Sequence, residues 1–191
     1  MGEFILQILA VVVLLGHILI GLVLVAATAG WLTGRPSEQV VPQFLWRWLR
    51  RYGLHLSFLV TMGATGGSLY FSELAGLAPC LFCWYQRIFM YPLVVILAVA
   101  MLTEDRRVSR YVLPLSAIGG LLAAYHYYLQ KINPAAAECF VGDVSCADIT
   151  LEYFGYITIP MMSLTAFVLV AWMVYYVGNG NLDHSDDVQS T

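Results

Sequence analysis

Five long stretches of this chain carry at most one Asp, Glu, Lys or Arg, and nothing else constrains the fold as strongly. No charge falls between Phe4 and Leu32, or between Leu54 and Ser72. Ile88 to Thr103 is uncharged and extends back through Leu77–Gln86, broken only by Arg87. Tyr111–Gln130 and Tyr153–Leu182 complete the set. A membrane-spanning helix needs about 20 predominantly apolar residues, so the pattern predicts five spans in an all-α integral membrane protein. The runs are continuous rather than alternating at every second residue, which excludes the strands of a membrane barrel. Composition agrees: 60% of residues are hydrophobic and 11% charged, where a soluble domain carries about 25% charged residues. The formal net charge of -3 comes without a basic run, so the chain has no nucleic-acid footprint.

Seven of the nine Lys and Arg residues fall in two connections: Arg35, Arg47, Arg50 and Arg51 in one, Arg106, Arg107 and Arg110 in the other. The positive-inside rule assigns both to the cytoplasm. Five helices then alternate without conflict, with the N-terminus outside and residues 73–83 and 131–152 on the exterior or periplasmic side. The acidic tail with Asp183, Asp186 and Asp187 falls inside. Ala27-Thr28-Ala29 resembles a signal-peptide cleavage site, but the preceding Met-Gly-Glu has no basic residue and the apolar run is too long, so an uncleaved helix is expected. Phe44, Trp46, Trp48 and Tyr52 interleave with three arginines, a mixture suited to an interfacial segment or to a basic loop that only fixes topology. Gly63 and Gly67 form a small-xxx-small pair, which predicts close helix approach.

The chemistry starts at the cysteines. Cys80 and Cys83 form a C-x-x-C, and Cys139 and Cys146 are separated by six residues. All four fall on the non-cytoplasmic side, where disulfides form and persist. Three readings compete. Two structural disulfides are the plainest, but a C-x-x-C closes almost no loop and so gains little as a staple. A four-cysteine zinc site is formally acceptable in spacing, although nothing resembling a zinc ribbon surrounds it. Thiol–disulfide exchange suits a C-x-x-C at a helix start, and is the reading favoured here. Pro79 fits the opening of a helix, which places Cys80 and Cys83 in a first turn where free N–H groups and the positive dipole end stabilise a thiolate. Arg87 follows Cys83 by four residues on the same face. Either it snorkels to the headgroups, or it partners a thiolate or a ligand oxygen.

Three motifs then converge. Gly67-Ser68-Leu69-Tyr70-Phe71-Ser72-Glu73, Pro79-Cys80-Leu81-Phe82-Cys83-Trp84-Tyr85-Gln86-Arg87 and Tyr125-His126-Tyr127-Tyr128-Leu129-Gln130-Lys131 resemble the disulfide bond formation protein B (DsbB) family, most closely its BdbC-like thiol-disulfide oxidoreductases. Ile157-Thr158-Ile159-Pro160, opening the last helix, fits as well. The resemblance spans residues 54–177 and implies a four-helix transmembrane bundle of the DsbB type. It leaves residues 1–53 as an extra N-terminal transmembrane helix with a basic, aromatic linker, and residues 178–191 as an acidic cytoplasmic tail.

The resemblance implies a multi-pass enzyme of the cell membrane that reoxidises an extracytoplasmic thioredoxin-fold thiol oxidase (DsbA- or BdbD-like) and passes two electrons to a membrane quinone, ubiquinone or menaquinone. By motif, Cys80 and Cys83 are the quinone-coupled pair, Cys139 and Cys146 the partner-facing pair, and Arg87 and His126 belong to the quinone site; no metal is implied. Energetics point the same way. A strongly oxidising dithiol near about -120 mV cannot be reoxidised by thiol pools near about -200 mV without an uphill step of nearly 4 kcal/mol. A lipid-soluble quinone is the acceptor a helix bundle can reach. Asp143 and Asp148 near Cys146 raise its thiol pKa and argue for partner attack there, whereas the resemblance assigns the attack to Cys139; exposed carboxylates are screened, and the expectation follows the resemblance. Two alternatives stand beside this reading. One is a vitamin K epoxide reductase-like enzyme, in which the loop cysteines precede the C-x-x-C. The other is a non-enzymatic membrane protein with a zinc or structural-disulfide cap.

Overall fold

The computed structural model describes residues 2–33, 43–134, 140–141, 144–149 and 151–179. Long apolar segments satisfy their backbone groups internally only as helices when they cross a bilayer, and five long helices form: α1 (Gly2–Thr33), α2 (Gln43–Leu69), α3 (Leu81–Thr103), α4 (Ser109–Lys131) and α5 (Ile159–Asn179). Of these, α1, α3, α4 and α5 contain stretches long and apolar enough to span a membrane. The 27 residues of α2 are long enough, but its basic first turns and its Gly, Ser and Thr content dilute the apolarity. A π-helical turn, Tyr70–Leu74, ends α2, and a 3-10 turn, Arg106–Val108, leads into α4. Four two-residue strands sit between α4 and α5: β1 (Phe140–Val141) pairs with β2 (Val144–Ser145), and β3 (Glu152–Tyr153) with β4 (Ile157–Thr158), both antiparallel.

Helices α2 to α5 enclose the core. Leu93, Leu97, Val112, Phe167, Val170 and Val174 are fully buried within it. At Gly119 of α4 an added Cβ would collide with the Phe167 ring, so glycine is what lets α4 and α5 close on each other. Alternation of the helices gathers residues 70–83, 131–134, 144–149 and 151–158 at one end of the bundle. The arginines of α2 and of the α3–α4 connection lie at the other.

Two local expectations change. The basic, aromatic segment is no separate linker, because α2 starts at Gln43 and runs through Arg47, Arg50 and Arg51 into the apolar part without a break. Gly63 and Gly67 do not bring two backbones together. A Cβ at Gly63 would meet nothing within 4 Å, one at Gly67 would meet only the Leu9 side chain, and both residues line a cavity. Residues 34–42 and the tail with Asp183, Asp186 and Asp187 lie outside the described residues.

Candidate active site

The dithiol is built by the start of α3. Gly76 takes a positive φ of 69° that turns the chain out of α2, and an extended stretch leads through Pro79 to Cys80. Cys80 is the N-cap, with φ -71° and ψ 175°, and its carbonyl accepts the first helical hydrogen bond from Trp84 N–H at 3.1 Å. Pro79 therefore precedes the cap instead of opening the helix, and Cys83 falls at the third helical position, still among the unpaired N–H groups of the first turn. The two sulfurs are free thiols 3.1 Å apart.

Cys80 is 5% exposed and His126 of α4 is 2% exposed. His126 Nε2 lies 3.6 Å from Cys80 Sγ and 3.2 Å from the Cys146 carbonyl oxygen. Gln86, one helical turn beyond Cys83, puts its Nε2 3.0 Å from His126 Nδ1. An amide nitrogen can only donate, so Nδ1 accepts and the ring proton sits on Nε2, facing Cys80 and the Cys146 carbonyl. The Phe82 ring packs on the imidazole at 5.5 Å between centroids. Gln86 has no motif of its own; only its place one turn after the C-x-x-C could have singled it out.

Hydrogen bonding from the Cys83 thiol, followed by hydrogen bonding from His126, holds the Cys80 thiol well below the ordinary thiol range against the opposing effect of burial. A depressed pKa means that the thiolate is lost only when the pH falls far below neutrality. Alkylation of Cys80, followed by peptide mapping so that Cys83 is resolved from it, is expected to be nearly as fast at pH 6 as at pH 8. An ordinary thiol slows about a hundredfold over that interval, and a drop of that size at Cys80 would contradict the assignment.

Arg87 has a definite partner. Its Nε donates to Ser68 Oγ and one Nη to the Ser68 carbonyl, both at 2.9 Å, and the guanidinium lies 5.1 Å from the Trp84 ring centroid. Ser68 lies in the first of the three motifs, but no spacing rule links it to Arg87. The fork and Cys83 both line an apolar cavity of about 370 Å³ between α1, α2, α3 and α5. That is within the roughly 300–1,000 Å³ of small-molecule sites. His126 does not line this cavity. It faces a smaller one of about 60 Å³ with Cys80, Gln130, Ser145 and Asp148, and Arg87 and Cys83 border both. Arg87 and His126 thus share the smaller cavity, and of the two only Arg87 also lines the larger one.

Of the second pair, Cys146 is disulfide-bonded and 1% exposed, packed with Cys80 and Leu129. Its loop is tied down by Gln130 Nε2 donating to the Asp148 carbonyl at 2.7 Å, and Lys131 Nζ bonds Glu152 Oε1 of the adjoining hairpin at 2.7 Å. Cys139 and Asp143 lie outside the described residues. Cys80, Cys83 and His126 bring three donor atoms within 4.8 Å of one another. A cysteine binds a metal as its thiolate, and Cys146 stands in a disulfide.

The family model described as "Disulfide bond formation protein DsbB" matches residues 50–177. "Probable disulfide formation protein C 1" of Bacillus cereus (strain ATCC 10987) is 42% identical over 125 residues, covering 64% of this chain and 88% of the relative. "Disulfide bond formation protein C" of Bacillus subtilis (strain 168) is 45% identical over 118 residues, 61% of this chain and 86% of the relative. The "SPbeta prophage-derived disulfide bond formation protein B" of the same strain is 43% identical over 124 residues, with 65% and 83% covered. No solved structure matches the chain significantly.

Proposed function

The chain belongs to the DsbB family of disulfide bond formation proteins, and from that premise we propose that it carries two electrons from a reduced thioredoxin-fold thiol oxidase, through its two cysteine pairs, to a membrane quinone. One observation supports this reading above the others: the Cys80–Cys83 dithiol stands between the buried Cys146 disulfide on one side and the apolar cavity bordered by Arg87 on the other. The cysteine end of the bundle is assigned to the extracytoplasmic side by the arginine bias at the opposite end.

In this reading the electrons move by a series of thiol–disulfide exchanges. A partner thiolate attacks Cys139, forms a mixed disulfide and expels Cys146 as a thiolate. The partner's second thiol then displaces Cys139, leaving an oxidised partner and a Cys139/Cys146 dithiol. Cys146, next to Cys80, attacks the oxidised Cys80–Cys83 bond and expels Cys83. Cys139 closes back on Cys146 and releases Cys80, whose thiolate is stabilised by the Cys83 thiol and His126 Nε2–H. Disulfide bonds are conserved through each step, and two electrons come to rest on the pair, with Cys83 as its thiol and Cys80 as its thiolate. A quinone bound in the cavity would accept both electrons, one proton from Cys83 and one from solvent, and so re-form the Cys80–Cys83 bond.

The donor set fits such an acceptor. Arg87 carries five N–H donors and directs only part of its fork to Ser68, so the rest can hold a carbonyl oxygen beside Cys83, while the apolar walls exclude water. Arg87→Lys keeps the charge and loses the planar fork. It is expected to raise the KM for quinone about tenfold, as loss of one charge-assisted hydrogen bond does, while binding of the reduced partner is unchanged. Wild-type quinone kinetics in Arg87→Lys, with Arg87→Ala lowering only expression, would reduce Arg87 to a headgroup anchor.

A further inference from the structure

The first helix lies outside the region matched by the family, yet it is fitted closely to the bundle. Gly16 brings α1 so near α5 that a Cβ there would lie 3.1 Å from both Leu169 Cδ1 and Thr165 Cγ2. The next residue, His17, places Nε2 2.7 Å from Thr165 Oγ1 and Nδ1 3.3 Å from Tyr156 Oη. Thr165 Oγ1 already donates to the Met161 carbonyl at 2.8 Å. It therefore accepts from His17 Nε2–H, and Nδ1 accepts from the Tyr156 hydroxyl. Polar groups in an apolar span are costly when unpartnered, so this clip fixes both the depth and the rotation of α1. With α1 held there, the Leu9 side chain lies over Gly67 of α2. Leu9, Val12 and Val13 then face the cavity that Cys83 and Arg87 border.

We propose that α1 is a wall of the quinone site, its Leu9–Val13 face packing against the prenyl chain, with the His17–Thr165–Tyr156 contact holding that wall in place. The proposal rests on the quinone reading above. The shape of the cavity argues for a prenylated quinone rather than a bare ring. Its lining on α5 runs from Ile159 to Leu169, ten residues or about 15 Å at the helical rise, which is longer than a quinone ring. Gly63 and Gly67 leave room along that length by lacking side chains.

The test uses the full-length protein in lipid nanodiscs and a prenylated quinone carrying a photoreactive diazirine on its chain. After irradiation, peptide mapping is expected to find label within residues 9–13. Val12 is 57% exposed, so Val12→Trp can fold while filling the cavity edge. It should lower that labelling and raise the KM for prenylated quinone about tenfold more than the KM for a ring-only quinone, the cost of losing one packed aliphatic contact. His17→Leu should act in the same direction. Leu22→Trp, at a position 63% exposed and away from the cavity, should match wild type. Labelling absent from residues 9–13, equal KM changes for the two quinones in Val12→Trp, or the same shift in Leu22→Trp overturns the wall. A wild-type protein that neither takes up the label nor reduces either quinone overturns the quinone reading, and the wall with it.

Discussion

With the Cys80–Cys83 pair oxidised, so that it takes up the two electrons, Cys146→Ser is expected to accumulate a mixed disulfide with a partner reduced to its single attacking cysteine, and Cys139→Ser to accumulate almost none. Neighbouring charge alone argues the opposite, since Asp143 and Asp148 flank Cys146 and make it the poorer leaving group. Burial of Cys146 argues against attack there. Cys146 is 1% exposed and packed against Cys80 and Leu129, and the Asp148 carboxylate is turned to the Ser145 backbone N–H at 3.3 Å. An incoming protein thiolate must reach the sulfur it attacks, and a rate limited by access falls steeply when that sulfur is covered. In the proposed relay the attack goes to Cys139, and Cys146 leaves beside Cys80, the sulfur it is to react with next. The yields of trapped complex, read on a non-reducing gel at a fixed time, should differ by about a hundredfold or more, a gap set by access. Trapping through Cys146 would overturn the assignment and with it the order of the relay.

Cys83→Ser is expected to abolish quinone-dependent turnover, by about a thousandfold or more, because an essential member of a reacting unit is removed. The fold should survive. The pair closes almost no loop, so its loss releases little chain entropy, and the substitution is nearly isosteric. Thermal unfolding in detergent should place the variant within about 1 kcal/mol of wild type, as for a substitution that opens no cavity. A Cys83→Ser protein that still turns over would remove the dithiol from the path to the acceptor.

The helices were legible because runs of 16 or more residues without charge have no other stable form in a bilayer. The dithiol was legible because a C-x-x-C before an apolar run reads as a helix start. The start of α2 was not, since the charged residues and Gly53 mark an end to the apolar run, yet the helix continues through them to Gln43. The partners of the site residues were beyond reach for a different reason. Gln86 meets His126 across 40 residues of sequence and Arg87 meets Ser68 across 19, and nothing in spacing encodes which of several polar side chains face each other in a bundle. His17 is the extreme case, with partners 139 and 148 residues away. Gly63 and Gly67 illustrate the converse. Their spacing suits close helix packing, but their neighbours leave a cavity, and a pattern cannot distinguish a glycine that admits a helix from one that admits a ligand.

The most direct test of the electron path is an anaerobic assay with reconstituted wild-type protein, a reduced thioredoxin-fold thiol oxidase and a membrane quinone, following quinol by absorbance and partner thiols by counting. One quinol is expected for every partner dithiol oxidised, and no quinol when Cys83→Ser replaces wild type. Partner oxidation without quinol, or quinol formed equally well by Cys83→Ser, would contradict that path.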